Sequence, residues 1–539
     1  MQIELYRNDI RQETLNADAD WTRIPIAGVT APETTVVKLS MPILDIQCYW
    51  LPDLRLPSQK LHWTVNVKSS IARNFPFLTF FNLEQHNRFA LGLDNLIDDI
   101  DITARMNQET GDYDITIRIA PTTRGFTLSI DKRPLSWQQC LNEWRATLKI
   151  EAPRFPSGAW EPVFCTWYAA HAAVTRQWVE DNAAIAAGLG CGTLIIDDGW
   201  CFDIMKRVTP STIGDWYDTI GDWELSASKF PGFDQHVDAI HKLGMNYLLW
   251  VAPSLIGVNS RILRRIRDGV SEKVIEGAHV LNPNRREAAA AVTGKIVDLF
   301  NRHDLDGLKI DFIDYFRPDV ENPEGQGAHA LVAELAAALR RRKPDALIEF
   351  RQHYATPGMV PYATQFRAGD VPFDFLDNFN RLCQIRVILG DGIPVHADPL
   401  FWRDDELPKN ISRHLIASLT GVPMLSMDLR KMSAETREIV RHWLNFYHDH
   451  KPTLNHGAWR IRYQLSNVGF AAVSSPEESI VILNEAALLP EALEACSGKV
   501  CILNLGGAEL SVPGCETFDE KGQPAAVGSI MPGGYGVIR

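Results

Sequence analysis

Between about residues 155 and 455 the sequence alternates short apolar runs with amphipathic stretches, and this alternation constrains the fold more than any other feature. The predicted strands are Val163–Trp167, Thr193–Asp197, Asn246–Val251, Leu308–Asp311, Ala346–Arg351, Thr364–Asp370, Ile393–His396 and Pro423–Asp428. Predicted helices follow most of them: Val174–Ala187, Asp234–Leu243, Arg286–Asn301, Ala328–Arg342, Leu376–Leu389, Lys409–Leu419 and Ala434–Tyr447. The fifth strand is followed only by Tyr354 to Ala363, with no clear helix. Eight strands with helices outside describe an α/β fold, a central (β/α)8 TIM barrel, and the span suits the usual length of about 250 residues or more.

A chain of 539 residues is expected to hold two or three domains. Residues 1–150 carry alternating runs such as Thr35 to Leu39 and Tyr113 to Ile119, with a connecting helix from Trp137, and read as an N-terminal β-rich, sandwich-like domain. Residues 151–455 form the catalytic barrel. Residues 456–539 return to short strands between Gly and Pro turns, a small C-terminal antiparallel β-domain.

Charge and composition narrow the partners. A net charge of −13 argues against nucleic acid or an anionic membrane surface. No apolar run approaches the roughly 18 residues of a membrane span. The first residues, Met1 to Asp9, are polar and lack a signal-peptide core, so a cytoplasmic location is expected. The nine cysteines show no CxxC spacing; free thiols are favoured, with Cys191 and Cys201 the alternative disulfide pair.

Barrel active sites lie at the C-terminal strand ends. Here those ends are Trp167, Asp197 with Asp198, Trp250, Asp311, Arg351, Asp370, His396 with Asp398, and Asp428. Carboxylates suit acid–base work and hydroxyl binding, and aromatic faces suit the apolar face of a sugar. A single Asp at such an end equally suits a helix N-cap; so many together do not. Lys309 and Asp311 alternate to one side of their strand. A neighbouring cation keeps a carboxylate ionised, as a carboxylate nucleophile requires. Asp370 ends the sixth strand, two strands away, leaving room for a sugar between two carboxylates, the minimum equipment for glycoside hydrolysis. An ion pair with Arg367 is the alternative role for Asp370, and Asp374 and Asp377 are rival acids. His396 and Asp398 lack metal-ligand spacing, so a hydrogen-bonding role in the pocket is expected and no metal. Lys309 also permits a Schiff-base aldolase. The tryptophans at 167, 200, 216, 223 and 250 fit a sugar pocket better, and no phosphate loop is visible, so no cofactor is expected.

A series of ordered motifs then resembles glycoside hydrolase family 36, the α-galactosidase and raffinose-synthase-like group of the melibiase clan. The motifs are Thr166-Trp167-Tyr168, Ile195-Ile196-Asp197-Asp198-Gly199-Trp200, Gly221-Asp222-Trp223 with Lys229-Phe230-Pro231-Gly232, His241 to Met245 with Leu249-Trp250, Leu281 to Glu287, and Lys309-Ile310-Asp311. A second Gly-Asp-Trp copy stands at 214–216. The resemblance implies a retaining exo-acting α-glycosidase for α-galactosides or a substituted relative. Asp311 would be its nucleophile and Asp370 its acid/base. Asp197 and Asp198 would bind sugar hydroxyls, Trp200 would help wall the pocket, Trp250 would line its floor, and Trp167, Trp223 and Arg367 would be further substrate-binding residues. Lys309 would contact the sugar.

Two departures fall where sugar substituents are read. Ile313 stands where the α-galactosidases usually have Asn, and Glu349-Phe350-Arg351-Gln352-His353-Tyr354 replaces a Cys-Ser-Gly-Gly segment. Arg351 and His353 would then enter the pocket. Arg351 is read either as the ligand of an N-acetyl or acidic substituent, or as the partner of Glu349 or a pocket aspartate. An α-N-acetylgalactosaminidase, a raffinose-synthase-like transglycosylase and a non-catalytic sugar-binding homologue remain the alternatives. The expected partner is a small oligosaccharide or glycoside substrate; the family's dimers and tetramers leave a homo-oligomer open.

Overall fold

The computed structural model describes residues 1–53, 60–201, 203, 214, 216–316, 325–494 and 496–538. Its centre is a parallel sheet of eight strands: β1 (Val163–Cys165), β2 (Thr193–Ile196), β3 (Asn246–Val251), β4 (Gly307–Ile310), β5 (Leu347–Arg351), β6 (Gln365–Arg367), β7 (Val395–His396) and β8 (Met424–Leu425). The hydrogen-bonded order is β7-β6-β5-β4-β3-β2-β1-β8, and a parallel bridge from His396 to Val422 brings the two edges together into a barrel. Each predicted strand is present: β3 has the predicted bounds, β4 is shifted one residue toward the N-terminus, and the others are shorter than predicted. Helices follow as the apolar periodicity requires, and side-chain caps start several of them: Thr175 before Arg176–Leu189, Asp374 before Phe375–Leu389 and Ser433 before Ala434–Asp449. After β5 the chain makes two short 3-10 turns, Gln352–Tyr354 and Pro357–Met359, in place of a helix. Gly307 opens β4 because a Cβ there would sit 2.1 Å from the Leu347 carbonyl oxygen.

The connection after β3 holds an element that the sequence pattern did not announce. It is a three-stranded antiparallel sheet of Leu255–Gly257, Val270–Ile275 and Ala278–Leu281. The N-terminal region folds into two antiparallel sheets of six and five strands. Thr35–Pro42 pairs with Asp112–Ile119 along its whole length, and the alternating inward residues Val37, Leu39, Ile115 and Ile117 meet Phe80, Leu91 and Leu128 in a shared core. The C-terminal region carries a six-stranded and a two-stranded sheet. Its pairs are antiparallel except Glu478–Leu483 with Lys499–Asn504, which run parallel. A crossover through the short helix Leu489–Leu493 makes that pairing possible. All nine cysteines are free, Cys191 and Cys201 included. Among the described residues no helix is long and apolar enough to cross a membrane.

One buried side chain ties the three regions together. Gln384, on the barrel helix Phe375–Leu389, is fully buried. Its Oε1 accepts from the Trp50 indole at 3.1 Å and from the Tyr463 hydroxyl at 2.9 Å. Its amide donates to the carbonyls of Leu51 and Asp53, each at 3.4 Å. Trp137 packs in the same junction, with ring centroids 5.2 Å from Trp50 and 5.4 Å from Tyr463. Gln384→Leu leaves the indole N–H and the phenol buried without their acceptor and should cost about 2–4 kcal/mol. Urea unfolding should show the loss as a lower midpoint.

Candidate active site

The strand ends β2, β4, β5 and β6 deliver their charged residues to one buried cluster. Asp311 follows β4 and is only 4% exposed. Its Oδ1 lies 3.0 Å from Nε of Arg351 and accepts from the Phe312 amide at 2.8 Å. Its Oδ2 accepts from the Trp250 indole at 3.0 Å and lies 3.9 Å from Nζ of Lys309. Burial opposes the charge of Asp311, but Arg351, Lys309 and Arg367 outweigh that cost and hold its carboxyl below the ordinary aspartate value.

Lys309 has a nearer partner than the one expected of it. Its Nζ is 2.5 Å from Oδ2 of Asp197, which also accepts from the Cys165 thiol at 3.1 Å. Burial disfavours its ammonium, Asp197 more than restores it, and the amine stays charged. A lysine paired this closely with a carboxylate lacks the free amine that a Schiff base needs, which counts against the aldolase alternative.

Arg351 ends β5 and is engaged three times. Besides Asp311 it reaches Oδ1 of Asp314 at 3.2 Å and Oδ2 of Asp370 at 3.9 Å, and its guanidinium lies 4.7 Å from the Phe312 ring centroid. Of the two readings of Arg351, the structure has the pairing with pocket aspartates; Glu349 turns instead to His396. His353, 35% exposed, lies 3.5 Å from Oδ2 of Asp314, and burial lowers its imidazole pKa. Asp314 was not singled out in the sequence. The pair Arg351 and His353, two residues apart on one strand end, was the signal that a counter-charge had to lie near.

Asp370 stands at the edge of the cluster with 48% of its side chain exposed. Its Oδ1 accepts from Nη1 of Arg367 at 2.9 Å, so the expected ion pair is formed. The same Nη1 is 2.5 Å from Oδ1 of Asp398, whose Oδ2 accepts from the Tyr168 hydroxyl at 2.9 Å and the Val371 amide at 2.8 Å. Partial burial works against the charge of Asp370, but Arg367 and Arg351 hold its carboxyl well below the usual range, with solvent on its open side screening both. The rival acids have other work: Asp374 caps the helix Phe375–Leu389, and Asp377 pairs with Arg381 at 2.9 Å. Asp428 likewise caps a short turn and pairs with Arg430 at 2.9 Å.

Asp198 is buried, and among the described residues no cation forms an ion pair with it. The Trp216 indole donates to its Oδ2 at 2.5 Å, while Oδ1 has no hydrogen-bond partner among the described residues. Burial pushes its carboxyl up to about 7, against the Trp216 bond and with the help of the Asp197 charge.

Other expected pocket residues are placed differently. His396 is fully buried in the barrel interior, its Nε2 2.8 Å from the Ala159 carbonyl and its Nδ1 3.2 Å from Glu349. Its short strand turns that side chain inward, so it is a core histidine and not a pocket residue. Trp200 is also fully buried and donates to the Trp250 carbonyl at 2.8 Å. It supports the wall from behind, stacked on Trp223 at 6.4 Å. Trp223 is buried between Trp200 and Trp250, with the latter at 6.1 Å. Trp167 is partly exposed and meets Trp216 edge-on at 6.3 Å. In the first Gly-Asp-Trp copy, Asp215 lies outside the described residues. Lys229 is buried, and its ammonium donates to the carbonyls of Ala172 at 2.6 Å and Gly199 at 2.8 Å, pinning two loops of the rim.

Known proteins resemble this chain in sequence and in fold. Residues 148–330 match the Melibiase family model. An α-galactosidase of Escherichia coli is 24% identical over 359 residues, covering 62% of this chain and 48% of its own. The bifunctional α-galactosidase/sucrose kinase AgaSK of Mediterraneibacter gnavus is 21% identical over 353 residues, covering 61% of this chain and 36% of its own. The matched stretch thus spans about half of these relatives or less. The crystal structure of the GH36 α-galactosidase AgaA of Geobacillus stearothermophilus with raffinose superposes with a TM-score of 0.65 at 14% identity, over 97% of this chain and 77% of that one. The segment 148–330, which carries Asp197, Asp198, Lys309 and Asp311, is thus similar to the melibiase family, and the chain has a fold like that of solved family 36 α-galactosidases.

Proposed function

We propose that this protein is a retaining exo-acting α-glycosidase that hydrolyses α-galactosides or a substituted relative of them. The observation that carries the reading is the setting of Asp311. It is buried, ionised by Arg351 and Lys309, held by the Trp250 indole, and shares the Arg351 guanidinium with Asp370. Relatives named α-galactosidases and a similar fold solved with raffinose support an oligosaccharide substrate.

In the first step a carboxylate oxygen of Asp311 attacks the anomeric carbon. The bond to the leaving oxygen breaks, its electron pair stays on that oxygen, and Asp370 supplies the proton. In the second step Asp370 takes a proton from water, the water oxygen attacks the anomeric carbon, and the ester to Asp311 breaks with its pair returning to the carboxylate. Two inversions give net retention. In the ligand-free form Arg367 and Arg351 keep Asp370 ionised. A sugar that covers its exposed side removes solvent from the carboxylate and raises its pKa, which lets it carry the proton it must donate. Asp197 and Oδ1 of Asp198, which has no hydrogen-bond partner among the described residues, are the acceptors for sugar hydroxyls. The N-acetyl and acidic alternatives needed Arg351 for the substituent, and its engagement by three aspartates counts against them.

Asp311→Asn should lower turnover of an aryl α-galactoside about 10⁴-fold or more with the circular dichroism spectrum unchanged. Proton NMR of the first product from the wild-type chain should show the α-anomer; a β-anomer would remove Asp311 from the nucleophile role. Asp198 gives a separate outcome. Between the ordinary aspartate value and about 7, folded Asp198 holds a proton that the unfolded chain has lost, so its contribution to stability falls as pH rises through about 7. Asp198→Asn keeps the Trp216 bond without the charge, and should raise the melting temperature more at pH 8 than at pH 5.

A further inference from the structure

The last barrel helix, Ala434–Asp449, follows β8 and so runs back toward the N-terminal ends of the strands, away from the charged mouth. His450 ends it and directly precedes the next helix, Lys451–His456. A helix on either side fixes its backbone. Its ring centroid lies 4.2 Å from that of Phe446, one turn earlier, and its Nδ1 is 2.9 Å from Oε1 and 2.8 Å from Oε2 of Glu478.

The C-terminal sheet brings a third group to this pair. Its strands Glu478–Leu483 and Lys499–Asn504 run parallel, with Ile480 opposite Cys501. Side chains alternate along a strand, so Glu478, Ile480 and Cys501 share one face. That face meets the barrel: Cys501 packs in the apolar cluster that includes the barrel helices, whereas its neighbours Val500 and Ile502 turn to the separate core of the C-terminal sheets. Cys501 is a buried free thiol, while His450 and Glu478 keep one edge in solvent. One ligand atom from each residue, an imidazole nitrogen, a carboxylate oxygen and the thiol sulfur, lies within 4.8 Å of the other two.

We propose that His450, Glu478 and Cys501 bind a zinc ion that joins the last barrel helix to the C-terminal sheet. The donor set selects the metal: thiolate and imidazole suit zinc, whereas calcium and magnesium take oxygen ligands. Around a tetrahedral zinc, bonds of about 2.0–2.3 Å set the donor atoms roughly 3.5 Å apart, and rotation of the two partly exposed side chains closes the set on Cys501. Three protein donors leave a fourth position for water at the solvent edge. Burial pushes the Cys501 thiol up to about 11, and the zinc–sulfur bond forms as that proton leaves to solvent. The three ligands come from separate elements, so zinc binds the folded junction more tightly than the unfolded chain and stabilises it by mass action. The site is independent of the glycosidase reading.

The test uses the full chain, stripped with a chelator and titrated with zinc chloride or cobalt chloride. One zinc per chain should remain after dialysis, the melting temperature should rise with zinc concentration, and cobalt should give a near-ultraviolet sulfur-to-metal absorption band. Cys501→Ser should abolish that band and weaken zinc binding by more than the roughly 10–100-fold that loss of a supporting residue costs. His450→Gln retains a hydrogen bond to Glu478 and should weaken zinc binding as much, with the melting temperature of the stripped chain little changed. A wild-type chain without the sulfur band, or a zinc affinity unchanged in either variant, would overturn the proposal. An ion pair of His450 with Glu478 alone predicts both of those results, because it needs no thiol.

Discussion

Three buried cations, Lys309, Arg351 and Arg367, hold the barrel mouth together, and each is shared. Lys309 faces Asp197 and Asp311, Arg351 faces Asp311, Asp314 and Asp370, and Arg367 faces Asp370 and Asp398. Taking a charge out of water costs several kcal/mol per ion, and only close, hydrogen-bonded pairing offsets it. Sharing lets three cations keep several aspartates in one water-poor space. Asp198 shows the consequence of being left out. Adjacent in sequence to Asp197, it has an indole where its neighbour has an ammonium, and its carboxyl rises to about 7. Environment, not residue type, separates the two.

The flanking regions hold this cluster in place. Gln384 joins Trp50 of the N-terminal sheets to Tyr463 of the C-terminal sheet through the barrel helix that begins just after the Asp370 loop. The Asn74 amide donates to the His353 carbonyl at 3.3 Å, so the N-terminal sandwich touches the turn that follows β5. Behind the charged cluster, Trp200 fixes the Trp250 backbone and Trp250 fixes Asp311, a chain of two indole hydrogen bonds that sets the carboxylate's orientation. Rigid support of this kind matters for the proposed role of Asp311, because a reacting group displaced by about 1 Å loses much of its rate.

Much of this was legible in the residues. Alternating apolar and amphipathic runs marked all eight barrel strands, because a parallel strand buried on both faces must be apolar throughout. Period-two alternation put Lys309 beside Asp311. The same local reasoning misjudged His396, since a strand-end position does not reveal whether the side chain turns toward the mouth or the barrel interior; Trp200, expected in the pocket wall from the family resemblance, lies fully buried behind Trp250. That reasoning also passed over Asp314, which belongs to a one-turn 3-10 segment with no periodic signal, and the three-stranded sheet after β3, whose longest strand, Val270–Ile275, is polar and largely exposed and so lacks the apolar run that marks a barrel strand.

The sequence by itself determined the barrel, the strands that carry the chemistry and the Lys309–Asp311 pairing, because these follow from short-range periodicity and side-chain alternation. Only the tertiary structure decided which charges meet. That Lys309 sits closer to Asp197 than to Asp311, that Arg351 spends its charge on three aspartates, and that Asp398 links Arg367 to the loop at Val371 all depend on contacts between separate strands. Electrostatic energy in a buried site varies with ångström distances and with the solvent left around each group, and neither is written in the order of residues along a chain.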